Sequence, residues 1–519
     1  MFGILSKKDE DVYGLAASMY DALSFKTDDG WVVTDGTRAI RRSNTKPPVG
    51  KVCLAGVKEP IQGGLVLQYD GMLFNEGDLD AKEASPEDVL KRALERLDGE
   101  YSVASTDGEV IAAARDRAGR RPVFYGENDD VAAFSSEKKA LWAVGIRDVK
   151  RLRAGTAAVL SKDGVEVSEG AGIERREPTI KDFDAAVEEY RKVLYPAFEK
   201  RLRNVKRVGA LLSGGVDSTL STKLTLEMSR KLGFDVRVYS AGTESAPDLQ
   251  YATRFTQALG VEHRVRKLAL SEVGSYMQRV VRAVEERDFI QVEAGIGVYA
   301  AEEAAARDGV QIVVSGQGPD ELWGGYEWYP RVIAEEGYEG FLERCWGDLE
   351  RADIETFDRE NRIAASFGME VVFPYADTEV IKLAMSVSPE LKINSPEDRV
   401  GKRPHRELAK RVGVPSEFGD RKKDAAQHGT GIHDLLDQLA RDNGFTPDLV
   451  KEIGYKSEKI SGEKLGSSAR YGYRYSENAI WEIDEHIQLF IDSVAQKEGL
   501  LNEPERTTIG DYLKKARLI

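Results

Sequence analysis

Residues 208–228 read VGALLSGGVDSTLSTKLTLEM. A short apolar run, 208–212, breaks at Ser213-Gly214-Gly215. From about Asp217 a helical pattern takes over, with Leu220, Leu224 and Met228 at i, i+4 and i+8. Strand, glycine turn and helix start, in that order, direct backbone N–H groups and the positive end of the helix dipole at an anion. Glycines there let the backbone approach a phosphate closely, because no Cβ intervenes. A glycine turn also joins strand to helix in any α/β sheet, so a purely structural turn is the competing reading. The Lys-Ser/Thr ending of a Walker A loop is absent.

Bulk properties narrow the field. A chain of 519 residues is too long for one core and calls for two or three domains. With 41% hydrophobic and 31% charged residues it has the composition of an ordinary globular protein. The formal net charge of −15 argues against a general nucleic-acid binder, which needs a basic stripe to meet phosphates. The two cysteines, Cys53 and Cys345, form no CxxC pair, which speaks against a zinc ribbon or a two-thiol centre and fits a reducing cytoplasm. No run of 18 apolar residues and no signal-peptide pattern occurs, so a cytoplasmic protein with no membrane partner is expected. The five histidines show no ligand spacing, and no zinc is expected.

Residues 1–175 read as short strands at 63–69, 101–104, 110–114, 122–125 and 131–135, separated by turn residues. A helix is expected over 85–97, with Ser85 as N-cap and Asp88 three residues on. Strands at this density suggest two stacked sheets. Charged residues with Pro178 fill 174–186, the expected linker. From about 187, after a helix at 185–203, long helices alternate with short apolar strands at 208–212, 236–240, 261–265 and 310–314. That pattern indicates a parallel sheet with helices on both faces. Ligands in such sheets sit at the carboxyl ends of the strands. An amphipathic packing helix is expected at 479–494, and RYGYRY at 470–475 reads as a partly buried aromatic cluster.

Several stretches carry a resemblance. SGGVDS at 213–218 resembles the pyrophosphate-binding loop of the ATP-pyrophosphatases, which split ATP into AMP and pyrophosphate. SGQGPDELWGGY at 315–326 looks like SGEGSDELFGGY, the second signature of the asparagine-synthetase family. AGTESAPDL at 241–249, NRIAASFGMEVVFPYAD at 361–377, the Lys402…Arg406 pair and DRKKDAAQHGTG at 420–431 are similar to further motifs of that family. In the first region RDRAGRRPVFY at 115–125 looks like RDxxGxxPLYY of its glutaminase domain, FSSEKKAL at 134–141 like FASExKAL, and DGMLFN at 70–75 like a worn NGExYN. The resemblance to class B asparagine synthetases and β-lactam synthetases covers the chain to about 432 and fades beyond it.

What the resemblance implies is an N-terminal Ntn-type β-sandwich flanked by helices over 1–175. It is followed over 187–519 by a doubly wound parallel-sheet ATP-pyrophosphatase domain (adenine nucleotide α-hydrolase-like), with a helical extension from about 432. The expected fold class is thus α/β and α+β. ATP would be held by Leu212, Ser213, Gly214, Gly215, Asp217, Ser218, Ala241, Ser315 and Gly316, and Mg²⁺ by Asp217 and Asp320. Lys423, Gln317 and Glu370 are the expected catalytic positions, with Lys423 neutralising charge on the pyrophosphate and the amide-forming transition state. Read without the family, 421–423 is a solvated charge run.

Departures from the family pattern fall in two places. The family begins MCGI and uses a cysteine at position 2 as nucleophile, whereas this chain has Phe2, and FKTD at 25–28 replaces its RGPD. Cys53 reads as a core residue. Glutamine hydrolysis is therefore not expected, and the first domain is expected to persist as a scaffold. In the second domain Gln317 stands where relatives have glutamate or tyrosine, and Glu293 where they have arginine. A glutamine side chain hydrogen-bonds but cannot act as a general base. The expected activity is an ATP-dependent amide-forming ligase acting on a small-molecule carboxylate of open identity. Its amine is free ammonia, ammonia from a separate delivering protein, or an amine on the substrate. A homodimer is compatible with the sequence. Two alternatives stay open: a nucleotide-binding regulatory or structural relative without turnover, and an RNA-modifying ATP-pyrophosphatase, whose expected basic face and cysteine pair are lacking.

Overall fold

The computed structural model describes residues 1–24, 32–34, 39–41, 50–56, 61–62, 65–75, 77, 84–168, 170, 172–421, 429–457 and 484–519. The FKTD stretch, Lys423 and the aromatic run 470–475 lie outside the described residues, as do 63–64 of the first expected strand and 479–483 of the last expected helix. Backbone contacts divide the chain into two compact units. One comprises Met1–Glu177, Leu349–Asn361 and Ala376–Met385. The other comprises Pro178–Asp348, Arg362–Tyr375 and Ser386–Ile519.

The first unit is built on two antiparallel sheets. Strands β1 (Phe2–Ser6), β2 (Val32–Thr34), β3 (Ala39–Arg41), β4 (Val52–Gly56), β9 (Phe124–Glu127), β10 (Val131–Ser135) and β11 (Lys150–Arg151) form one, in the order β11-β9-β10-β1-β4-β2-β3. Strands β5 (Ile61–Gln62), β6 (Val66–Leu73), β7 (Gly99–Thr106), β8 (Ile111–Arg115), β12 (Ala157–Ser161) and β13 (Gly164–Ser168) form the other, in the order β13-β12-β8-β7-β6-β5. Leu5, Leu54, Ala132 and Phe134 from the first meet Ala104, Ile111, Ala113 and Leu160 from the second in one buried cluster, so the sheets are stacked face to face. The helices Tyr13–Ala22 and Lys138–Ala143 cover the outer face of the first sheet, and Pro86–Arg96 that of the second. Ser85 caps the last of these as expected, accepting from the backbone of Asp88 at 3.2 Å. Cys53 is 5% exposed, with its thiol pushed up by burial, which is the behaviour of a core residue.

What the sequence did not announce is the use of RDRAGRRP. Arg115, Arg120 and Arg121 are buried and grip the two segments that the later chain contributes to this unit. Arg115 is fully buried and pairs with Asp358, with Asp353 3.5 Å away. Asp116 accepts from Arg120 Nε at 2.9 Å, Arg120 Nη1 donates to the Ala376 carbonyl at 3.2 Å, and Arg121 Nη1 to Asn361 Oδ1 at 3.1 Å.

The second unit carries a five-stranded, all-parallel sheet. Its strands are β14 (Arg207–Leu211), β15 (Asp235–Gly242), β16 (His263–Lys267), β17 (Ile312–Val314) and β18 (Glu370–Val372), in the order β16-β15-β14-β17-β18. The order reverses at β14, the first strand, so the crevice at its carboxyl end is the topological switch point where such sheets bind ligands. The helix Val216–Leu232 follows directly and buries Leu220, Leu224 and Met228, each worth about 1.5–3 kcal/mol as apolar area removed from water. It ends at Gly233 in the left-handed conformation, with Arg230 and Lys231 in the last turn.

The C-terminal extension packs Ile432–Asp442 and Glu485–Lys497 on the helices Leu270–Val284 and Phe289–Arg307. Asp492, fully buried, takes Arg287 Nη1 at 3.0 Å and the Tyr455 hydroxyl at 2.7 Å, which pins the extension just ahead of Phe289–Arg307. Among the described residues no helix is long and apolar enough to cross a membrane.

Removing one partner of a buried pair leaves an uncompensated charge. Asp358→Ala, which strands Arg115, is expected to lower unfolding free energy by about 3–5 kcal/mol in urea denaturation. A loss below about 1 kcal/mol, the range of exposed pairs, would mean that water reaches this grip.

Candidate active site

The site is assembled from two glycine turns at the carboxyl ends of neighbouring strands, β14 and β17. Leu212 extends β14, donating its N–H to the Tyr239 carbonyl at 2.9 Å and accepting from the Ser240 hydroxyl. The turn that follows is closed by Ser218. Its Oγ accepts from the Ser213 N–H at 3.1 Å, lies 3.1 Å from Ser213 Oγ and donates to the Gly215 carbonyl at 3.1 Å. Gly214 has φ +78°, and a Cβ there would lie 2.8 Å from Tyr251 Cβ and 2.9 Å from the Ala252 nitrogen, so both conformation and space demand glycine. Gly215 caps the helix without a side-chain acceptor, which leaves its first N–H groups to whatever the turn holds.

The second turn lies against the first: a Cβ on Gly316 would sit 3.2 Å from the Ser218 nitrogen. Ser315 continues β17 by donating to the Val372 carbonyl at 3.0 Å, and its hydroxyl accepts the Gln317 N–H at 3.2 Å. Asp320 opens the short helix Pro319–Trp323.

Asp217 and Asp320 converge on one cation, the ammonium of Lys402. Nζ lies 2.8 and 2.6 Å from the two Asp217 oxygens and 2.7 Å from Asp320 Oδ1, with the lysine 1% exposed. His405 Nε2 lies 3.2 Å from Asp217 Oδ1, and its Nδ1 shares a 2.9 Å hydrogen bond with the Tyr190 hydroxyl. Burial holds this imidazole below its ordinary value. The Tyr375 hydroxyl donates to the Asp217 carbonyl at 3.0 Å. Lys402, His405, Tyr190 and Tyr375 carry no role in the sequence reading. The motif match at Lys402 and Arg406 was the one available sign.

Two carboxylates meeting at a cation position have the hard-oxygen chemistry Mg²⁺ requires. Among the described residues no group of three or more His, Cys, Asp or Glu is placed to hold a metal. The pair therefore fits a Mg²⁺ that takes its remaining ligands from phosphate oxygens and water, not an all-protein cage.

The other expected positions divide. Ala241 lies near the end of β15, and two residues on the Thr243 N–H donates to the Thr430 carbonyl at 2.9 Å, which brings the 429–431 segment over that strand end. Lys423 lies outside the described residues. Arg421 just before it pairs with Asp248 at 2.6 Å and lies 4.1 Å from the Tyr251 ring centre, and Arg406 Nη1 holds the Arg421 carbonyl at 3.0 Å. Glu370 is not brought to the cluster. It opens β18 opposite Ile312, at the amino end of a parallel strand, whereas the glycine turns leave the carboxyl ends. The family match fixed its place in the motif but not the end of the strand it occupies.

Glu293 is fully buried in the second turn of Phe289–Arg307, whose amino end flanks the carboxyl edge of the sheet. Oε1 takes His433 Nδ1 at 2.9 Å, and His433 Nε2 is 3.4 Å from Asp484. Burial pushes the carboxyl up to about 7, outweighing the pull of His433. The hydrogen bond to Glu293 raises the imidazole to about 9.

A family model described as asparagine synthase matches residues 189–339 and 334–492, and one described as a glutamine amidotransferase domain matches 61–143. The putative asparagine synthetase [glutamine-hydrolyzing] 1 of Methanocaldococcus jannaschii is 30% identical over 407 residues, covering 69% of this chain and 74% of its own. The asparagine synthetase [glutamine-hydrolyzing] of Rattus norvegicus is 26% identical over 370 residues, 66% of this chain and 65% of its own, so the chain spans just under two thirds of that relative. Among solved structures, the allosteric regulatory enzyme of purine biosynthesis aligns over 47% of this chain and 66% of its own, at 15% identity and a TM-score of 0.28.

The Glu293–His433 pair makes a pH prediction. Both groups have raised values in the folded protein, so both bind protons more tightly folded than unfolded, and the two titrate as one unit. The histidine's contribution is complete below its unfolded value near 6.5 and is lost as pH rises through about 9. The carboxyl's shift acts in the same direction between about 4.5 and 7. Unfolding free energy is expected to fall by about 1–2 kcal/mol from pH 6.5 to 9, the histidine's part discounted for the water around its ring. Glu293→Gln is expected to flatten the slope, as read from urea midpoints. An unchanged slope would assign it to other groups.

Proposed function

The chain belongs to the asparagine synthase family, and on that premise we propose that it is an ATP-dependent carbon–nitrogen ligase. It activates a small carboxylic acid as an acyl-adenylate and passes the acyl group to an amine, without hydrolysing glutamine itself. The observation that carries this reading is the contact of the two glycine turns, with Asp217 and Asp320 meeting beside it. The turns have the donors for a polyphosphate, and the acids have the charge for the cation that accompanies it.

In the first step a carboxylate oxygen attacks the α-phosphorus of ATP, and the bond from that phosphorus to the pyrophosphate oxygen breaks. The first-turn N–H groups of Val216–Leu232, with Ser213 and Ser218, bind the departing pyrophosphate. Asp217 and Asp320 would hold Mg²⁺, which when bound neutralises charge on phosphate oxygens. In the second step the amine nitrogen attacks the acyl carbon, the carbon–oxygen bond to AMP breaks, and the nitrogen sheds a proton to the departing AMP phosphate or to water. Gln317 orients a reactant by hydrogen bonding and cannot take that proton. Lys423 supplies fixed positive charge to the developing oxyanion. Phe2 supports the absence of glutamine hydrolysis: it is 1% exposed in an apolar cluster and has no nucleophilic atom. The amine is ammonia, free or delivered by a second protein, or a group on the substrate.

The test is pyrophosphate release from Mg²⁺-ATP by the whole chain, with aspartate plus ammonium, aspartate plus glutamine, and a pool of cell metabolites. Release with at least one carboxylate is expected, and glutamine is expected not to replace ammonium. Lys423→Ala should lower the rate by about a hundredfold or more, the cost of one preorganised electrostatic donor. Bound ATP with no release in any mixture would make this a nucleotide-binding relative without turnover.

A further inference from the structure

Delivering Lys402 to the acid pair takes special backbone. Lys402 itself has φ 54° and ψ 32°, the left-handed region that a lysine rarely adopts, and Gly401 before it has φ 56°. Its N–H is held by the Trp323 carbonyl at 3.1 Å. Gly325 keeps the way clear, since a Cβ there would lie 2.0 Å from both Lys402 Cε and Asp320 Oδ1. A strained lysine and a glycine that must stay bare thus serve one contact, and the contact fills the position a metal would take.

The geometry points to Lys402 as a built-in counter-cation that closes the Asp217–Asp320 pair to free divalent cations and opens it to a cation arriving on a polyphosphate. A hydrated Mg²⁺ surrenders water reluctantly, and here it meets two carboxylates whose charge is half offset and whose shared position is filled by an ammonium at 2.6–2.8 Å, in surroundings too dry to screen the repulsion between the two cations. A cation bound to phosphates brings new anionic oxygens with it. Those give the displaced ammonium another partner, so the exchange conserves charge pairing. The inference deepens the reading of this site as a nucleotide site and rests on it for the carrier of the metal.

The test is Mn²⁺ binding to the whole chain, read from the electron-paramagnetic-resonance signal of the free ion, with and without α,β-methylene-ATP. Wild-type protein is expected to retain Mn²⁺ only with the nucleotide. Lys402→Asn removes the charge while keeping a residue that tolerates the left-handed backbone. It is expected to bind Mn²⁺ without nucleotide at least tenfold more tightly than wild type, and Asp217→Asn added to it should abolish that binding. Lys402→Gly, which removes the charge and adopts the left-handed backbone freely, should shift binding the same way, and Lys402→Arg should keep the pair closed. Circular dichroism checks each fold, and if Lys402→Asn does not fold, Lys402→Gly and wild type decide. The inference is overturned if nucleotide-free wild type binds Mn²⁺ through Asp217, or if neither charge removal tightens binding. If Lys402→Asn takes up Mn²⁺ alone but the nucleotide brings none to wild type, the closure stands and the nucleotide reading of the site falls.

Discussion

A single ammonium group holds the second unit's site in register. Lys402 Nζ joins the first turn of Val216–Leu232, through Asp217, to the first turn of Pro319–Trp323, through Asp320, and itself stands at the start of the helix Arg403–Arg411. At an effective dielectric constant near 20, charges 2.7 Å apart attract by about 6 kcal/mol. Taking three charged groups out of water costs a comparable amount, so the net gain in stability is small. The value of the contact is positional. The parallel order β15-β14-β17 already sets two glycine turns side by side, and the shared cation fixes which way their acids point.

That division explains what the sequence disclosed. Strand, glycine turn and helix start are local patterns, and the turn at 213–218 sits where the pattern puts it, with helix Val216–Leu232 beginning one residue early. Lys402 meets Asp217 across 185 residues of chain, and nothing in spacing or periodicity encodes such a contact. Asp353 and Asp358 likewise lie more than 200 residues from Arg115 in the chain, yet both are buried against it within the first unit. The place of Glu370 at the start of its strand is a related matter. A motif fixes neighbours along the chain, while the edge of the sheet a side chain reaches depends on where the strand begins to pair.

In the first unit a sequence motif serves the architecture. Arg115, Asp116, Arg120 and Arg121 resemble a glutaminase signature, and here Arg115, Arg120 and Arg121 hold Leu349–Asn361 or the Ala376 carbonyl while Asp116 braces Arg120. Deleting Arg115 or Asp116 would leave buried charge unpaired, whether or not glutamine is ever hydrolysed. The match of an amidotransferase family model to 61–143 is therefore sufficiently explained by architecture. Position 2 is phenylalanine, and its side chain lies in the core.

The same logic separates the two ends of the second unit's site. At the glycine turns backbone and a few small side chains set the geometry. At Glu293 a buried charge sets it. That carboxylate is enclosed with His433, and Asp484 stands behind the imidazole. An arginine at 293 would take away the carboxylate that raises His433, so the buried ring would give up its proton and the corner would change its charge altogether. Acid, histidine and outer aspartate form one electrostatic unit, and a preference for an acidic or a basic partner is a property of the unit. The identity of position 293 alone thus says little about the charge of this corner, which is set by the pairing of 293 with 433.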